Sequence, residues 1–322
     1  MIDRWLDKIW HSSPLMALRR IFRQIYLPGF GGVDLYQVLK FFATGLIEGY
    51  LTTRAASISF SFFLAIFPFT IFLLTIIAYI PIDNFQAELI QLLESIVPPK
   101  TWVAIDKTLT DIIEIKRGGL ASLGFVLALF FANNGVNSIL TSFNATFHSI
   151  AIRNFFSQLF ASMLLTIVLS ILFIISVSLI IFSEVMVKRL EVLDVVSRFE
   201  GQMLGFAQII VLLSLIFFSI TLLYYYGPAN RKEYRFFSPG ALLSTLLLWA
   251  TSYGFAAYVA NIASYNQIYG SIGTLIIILL WIYVNSIVLL IGFELNASIA
   301  HARKTSSAEI ELKHVKVSRQ SE

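Results

Sequence analysis

Asn133, Asn134, Asn137 and Asn144 stand with Thr141 and His148 in the stretch FFANNGVNSILTSFNATFH, residues 130–148. The surrounding run from Gly118 to Ile152 has no Asp, Glu, Lys or Arg. Amides, hydroxyls and an imidazole in such a setting offer hydrogen bonding rather than bond cleavage. No carboxylate accompanies them, and the chain has no cysteine to serve as nucleophile or thiolate ligand. The four histidines, His11, His148, His301 and His314, are not spaced to form a ligand pair with one another, so no metal site is expected.

At about 100° per residue the stretch divides into two faces. Asn133, Asn134, Asn137, Ser138, Thr141, Ser142, Asn144, Ala145 and His148 fall on one half, and Gly135, Val136, Ile139, Leu140, Phe143, Thr146 and Phe147 on the other. The apolar half is expected to face lipid. A bare amide in hydrocarbon is costly, so the polar half must meet protein or water. Two readings follow: the amides join this helix to its neighbours, or they line a hydrated cavity.

A second polar feature belongs to the same depth. In TTRAASISFSFF, Arg54, Ser57 and Ser61 are three and four residues apart and share a helical face. Pro68 follows deeper in the segment and removes a backbone donor, which predicts a kink. Arg54 either snorkels to the rim or points inward, to bind an anionic head group or to pair with a carboxylate. Glu294, in GFELNASIA, is the only acid flanking the last hydrophobic segment. An Arg54–Glu294 pair across the bundle follows from their shared depth, with Asn296 half a turn beyond.

These residues need long apolar elements to position them, and the chain supplies them. Of 322 residues, 57% are hydrophobic and 13% charged, and the mean hydropathy is +0.80. Soluble proteins carry nearer about 25% charged residues. Charge-free windows predict six transmembrane helices, over about 56–80, 120–147, 156–182, 203–226, 239–260 and 272–293. The fold class is therefore all-α and polytopic. A β-barrel does not fit, because its strands are short and alternate apolar with polar residues. Ser238 and Pro239 read as N-cap and first turn of the fifth span, and Gly270 and Gly273 flank the entry to the sixth.

Sixteen of the 23 Lys and Arg fall on the side of the N-terminal segment, which makes both termini cytoplasmic. Residues 1–54 are expected to form cytoplasmic amphipathic helices, 55–300 the six-helix domain, and 301–322 a polar cytoplasmic tail, disordered after Lys304. The external loop 83–117 reads as two short helices, 84–96 and 101–115, separated by Pro98 and Pro99.

The stretches SYNQIYGSIG, LLWIYV and LLIGFELNA, with RAASISFSFFLAIFPF nearer the front, make the chain resemble the YihY/BrkB family of bacterial inner-membrane proteins over residues 40–300. The matching positions include Arg54, Pro68, Tyr265, Asn266, Tyr269, Gly270, Gly273, Trp281, Glu294 and Asn296. The resemblance implies a six-span protein of the bacterial inner membrane. It brings no catalytic assignment, although members have carried a ribonuclease label.

The first expectation is a transport-type protein that moves or guides an amphiphilic or anionic substrate, such as a lipid, through a polar cavity. The alternative is a non-transporting scaffold whose external or N-terminal helices dock an envelope protein. Ribonuclease activity is the least supported, because no metal-ligand cluster and no basic-aromatic RNA surface is visible. Membrane lipids are the expected partners, and nucleic acid is not. No P-loop, dinucleotide-binding glycine pattern or zincin motif occurs, so no cofactor is expected.

Overall fold

The computed structural model describes residues 22, 24, 25, 27, 29–80, 84–96, 99–146, 149–150, 153–192, 198–261 and 271–320. His148, Tyr269 and Gly270 lie outside the described residues, as do all but Phe22 of the first 23 residues of the segment 1–54 expected to form amphipathic helices. Nine helices follow one another among the described residues: α1 (Leu35–Glu48), α2 (Leu51–Ile77), α3 (Phe85–Ile96), α4 (Pro99–Glu114), α5 (Gly118–Asn144), α6 (Phe155–Val192), α7 (Arg198–Tyr226), α8 (Pro239–Asn261) and α9 (Ser271–Gln320). Six of them, α2 and α5 to α9, are long and apolar enough to cross a membrane, in agreement with the six charge-free windows.

The spans form a ring. α2 packs on α5, α5 on α6, α6 on α7, α7 on α8 and α8 on α9, and α9 returns to α2. Large apolar residues are also exposed on the outside of the ring, among them Phe130, Phe160, Phe173, Ile181, Phe206 and Trp249, as a lipid-facing surface requires. The core holds Phe143 of α5, Tyr224 of α7 and Phe293 of α9. Phe143 and Phe293 stack with ring centroids 4.0 Å apart. The Tyr224 hydroxyl bonds Ser244 Oγ and donates to the Leu289 carbonyl, so its polar tip is satisfied inside the bundle. α8 and α9 cross at Gly240 and Gly292: a Cβ on Gly292 would fall on Ser244 Oγ and the Gly240 carbonyl, so the backbones meet directly.

Local sequence sets the ends of the helices that carry the site. Asp34 caps α1 by accepting from the Gln37 N–H at 2.9 Å. Gly49 closes it, and Tyr50, with φ of 48°, turns the chain into α2. At the far end of α2, Gln86 Nε2 of α3 donates to the carbonyls of Ile77 and Ile80, both at 3.1 Å. Pro68 is buried inside α2, which runs helical on both sides of it. α3 and α4 are the two short helices expected between the first two spans, and α4 packs on α2.

Two expectations about helix ends are corrected. The second span was predicted to continue through residue 147, but α5 ends at Asn144. A two-residue hairpin follows, with Ala145 opposite Ile150 and Thr146 opposite Ser149. A tail disordered after Lys304 was also predicted, yet α9 continues to Gln320. Extending a formed helix needs no new nucleation, and no Gly or Pro follows Gly292 to stop it.

Candidate functional site

One end of the bundle collects the polar residues. There the start of α2, the end of α5 with its hairpin, and the middle of α9 converge. Arg54 Nη1 lies 3.4 Å from Glu294 Oε2 and donates to the Gly49 carbonyl at 3.0 Å. Arg54 is 8% exposed and Glu294 0%, so the arginine points inward rather than snorkelling. The second carboxylate oxygen, Glu294 Oε1, accepts from Thr146 Oγ1 at 2.8 Å. α1 crosses directly over this carboxylate at Gly45, where a Cβ would stand 2.9 Å from Glu294 Cγ and 3.0 Å from Cδ. An oppositely charged partner and a hydroxyl donor together make a buried carboxylate tolerable.

The pair leaves part of the guanidinium uncommitted. Arg54 Nε and Nη2 are buried with no hydrogen-bond partner. Arg54 forms part of the wall of a groove of about 500 Å³ between α2 and α5. Thr53, Ser57 and Ser61 line it from α2, and Asn134, Asn137, Ser138, Thr141 and Ser142 from α5. Ser57 and Ser138 share a hydrogen bond across the groove at 3.2 Å, while Ser61 Oγ donates within its own helix to the Ser57 carbonyl.

The sidedness of α5 reverses the sequence-based expectation. Its apolar half is the buried one: Gly135, Val136, Ile139, Leu140 and Phe143 face the bundle core. The polar half, with Asn134 and Thr141 exposed, opens into the groove. Periodicity separates two faces but carries no sign for which one turns inward. The packing of Phe143 on Phe293 and Tyr224 decides it here.

The asparagines divide between the two expected roles. Asn144 Oδ1 accepts from the Ala229 N–H at 2.8 Å and joins the end of α5 to the turn after α7. Asn137 Oδ1 accepts from Gln158 Nε2 of α6 at 2.9 Å, and Asn133 Oδ1 from Thr166 Oγ1 at 3.5 Å. These three hold helices together. Asn134 makes no such bond among the described residues and faces the groove. On the α6 side of α5, Asn133 and Thr166 border an apolar cleft of about 280 Å³ with Val126, Leu129, Phe130, Met163 and Ile167.

Asn296 lies apart from the groove. Its Oδ1 accepts from the Gly240 N–H at 2.9 Å and its Nδ2 donates to Ser238 Oγ at 2.8 Å. It thus clamps the start of α8, where Pro239 takes the first turn as expected. Gly273 is buried near the start of α9. Thr146, Gln158, Thr166 and Gly45 were not anticipated. Gln158 carried a readable signal, as the one amide within the third predicted span. Thr146 carried none, because a continuous helix would have turned it towards lipid.

The family model described as virulence factor BrkB matches residues 43–316. The chain is 30% identical over 260 residues to a Bacillus subtilis (strain 168) protein named ribonuclease-like protein YfkH, a match covering 78% of this chain and 90% of that one. It is 40% identical over 91 residues to the UPF0761 membrane protein PSHAa0171 of Pseudoalteromonas translucida, covering 28% of this chain and 30% of that protein. A UPF0761 membrane protein of Xanthomonas oryzae pv. oryzae is 37% identical over 105 residues, covering 32% of this chain and 25% of its own length. No solved structure matches.

Proposed function

Because the chain belongs to the BrkB virulence factor family, whose name specifies no chemistry, we propose a function from the site itself: a transport-type membrane protein that takes an anionic amphiphile, such as a lipid, into the groove between α2 and α5. The observation that carries this reading is Arg54. One nitrogen is held by Glu294 and Gly49, and two more are left without partners beside a groove lined with hydroxyls and amides. A phosphate or carboxylate accepts from a guanidinium in this way. The apolar cleft on the α6 side of α5 suits an acyl chain that follows such a head group.

The site belongs to the end of the bundle richer in Lys and Arg, which we infer to be the cytoplasmic end of a bacterial inner-membrane protein. We do not extend the ribonuclease word in the YfkH name to this chain. A metal-dependent nuclease needs clustered ligands, and among the described residues no three His, Asp or Glu side chains are grouped to hold an ion.

Reconstitution tests the reading. Liposomes of phosphatidylcholine containing a fluorescent phosphatidylglycerol report transbilayer movement through loss of dithionite protection. The protein should accelerate movement over empty liposomes, and Asn134→Leu with Thr141→Val should reduce it at least fivefold while folded protein is retained. Movement no faster than in empty liposomes, or equal rates for the variant, contradicts the proposal.

A further inference from the structure

A second basic cavity lies at the same end of the bundle but on other helices. It occupies about 520 Å³ between the start of α6 and the turn after α7. Arg153 and Asn154 line it from one side, Asn230 and Arg231 from the other, and Phe160 and Leu164 give it an apolar wall. Arg153 is anchored: its Nη2 donates to the carbonyls of Pro228 at 2.9 Å and Tyr226 at 3.4 Å. Its Nη1 is buried without a hydrogen-bond partner. Neither Arg153 nor Arg231 has an ion pair among the described residues, whereas nearby Glu233 is engaged by Lys304 at 2.7 Å.

Two guanidinium groups thus share one cavity with no acid to neutralise them. Burial, and after it the charge of Arg231, lowers the proton affinity of Arg153. Placing like charges together costs free energy unless an anion joins them. Its polar side chains are two guanidiniums, two amides and two hydroxyls, none of them acidic, and the apolar wall extends along the outward face of α6, where Phe155, Phe156 and Phe160 are exposed.

We propose that this cavity binds a phosphate group, through Arg153 and Arg231, with Asn154 and Asn230 beside them. Two sources supply that chemistry: the head group of an anionic phospholipid, with its chains along Phe160 and Leu164, or free phosphate. The apolar wall favours the lipid. Occupancy would tie the start of α6 to the turn after α7, which Arg153 already bridges. This site does not depend on the groove at Arg54, and its variants leave that groove intact.

Native mass spectrometry of the detergent-solubilised full chain tests it. The protein is titrated with dioleoylphosphatidylglycerol, with dioleoylphosphatidylcholine and with inorganic phosphate. Arg231 is exposed and makes no side-chain hydrogen bond among the described residues, so Arg231→Ala keeps the fold. Its first phosphatidylglycerol adduct should weaken at least tenfold, and Arg231→Lys should recover most of the loss. Phosphatidylcholine should bind wild type and variant alike. Adduct loss without competition by inorganic phosphate assigns a lipid head group, and competition at millimolar concentration assigns free phosphate. Either result supports the site. Phosphatidylglycerol and phosphate binding within twofold of wild type in Arg231→Ala overturns it.

Discussion

Arg54 and Glu294, separated by 240 residues in sequence, meet with Nη1 3.4 Å from Oε2, and both side chains are buried. The contact joins the first span to the last and closes the ring of six helices. Removing one member strands the other charge, at a cost of about 3–5 kcal/mol. Arg54→Met and Glu294→Gln should each lower thermal stability in detergent by that order. The double mutant should lose less than the sum, because no isolated charge remains. Charge reversal at both positions should rescue only in part, since the Gly49 carbonyl would then face a carboxylate. Additive losses in the double-mutant cycle would show that the two residues are not coupled.

Thr146 supplies the donor to the other carboxylate oxygen. Thr146→Val keeps the shape and removes the hydroxyl, which leaves a buried acceptor short of a bond and should cost about 1–3 kcal/mol. Thr146→Ser should stay close to wild type. The same unfolding assay separates the two, and equal stability for Val and Ser would remove Thr146 from the site.

Gly45 admits no side chain over Glu294. Gly45→Ala places a methyl against the carboxylate and should destabilise by about 1–3 kcal/mol through overpacking. In the Glu294→Ala background the space is vacated and the penalty should largely vanish. A penalty that persists there would locate its origin elsewhere in α1.

Asn296 bonds both Ser238 and the Gly240 N–H, so it serves as a cap supplied from another helix. Asn296→Ala should lower stability by about 0.5–2 kcal/mol, in the range of a lost N-cap. Hydrogen exchange should rise first in the opening turn of α8. Unchanged exchange at residues 240–242 would contradict the assignment.

The six spans were legible because lipid imposes long charge-free runs that few other structures produce. The Arg54–Glu294 pair was legible from depth, since each is the charged residue at the edge of its span. Ser238 and Pro239 marked the start of α8 through local cap chemistry alone. What periodicity left open is a question of sign. The two faces of α5 were separated correctly, yet the apolar one turned inward, because Ile139, Leu140 and Phe143 pack on the core and the polar one borders a groove. The hairpin at Ala145 and Thr146 was hidden because its residues fit a helical wheel as well as a turn. The asparagines could not be apportioned between binding helices together and lining space without Gln158, Thr166 and Ala229 in place beside them.

Asn134 gives the most direct access to the central claim, because it faces the groove and holds no helix. A photo-reactive benzoylphenylalanine at position 134, in protein reconstituted with equal phosphatidylglycerol and phosphatidylcholine, captures whatever occupies that space. Preferential crosslinking to phosphatidylglycerol, several-fold above phosphatidylcholine and reduced by Arg54→Gln in folded protein, is the predicted result. Equal capture of both lipids, unaffected by Arg54, would contradict an anion-selective groove.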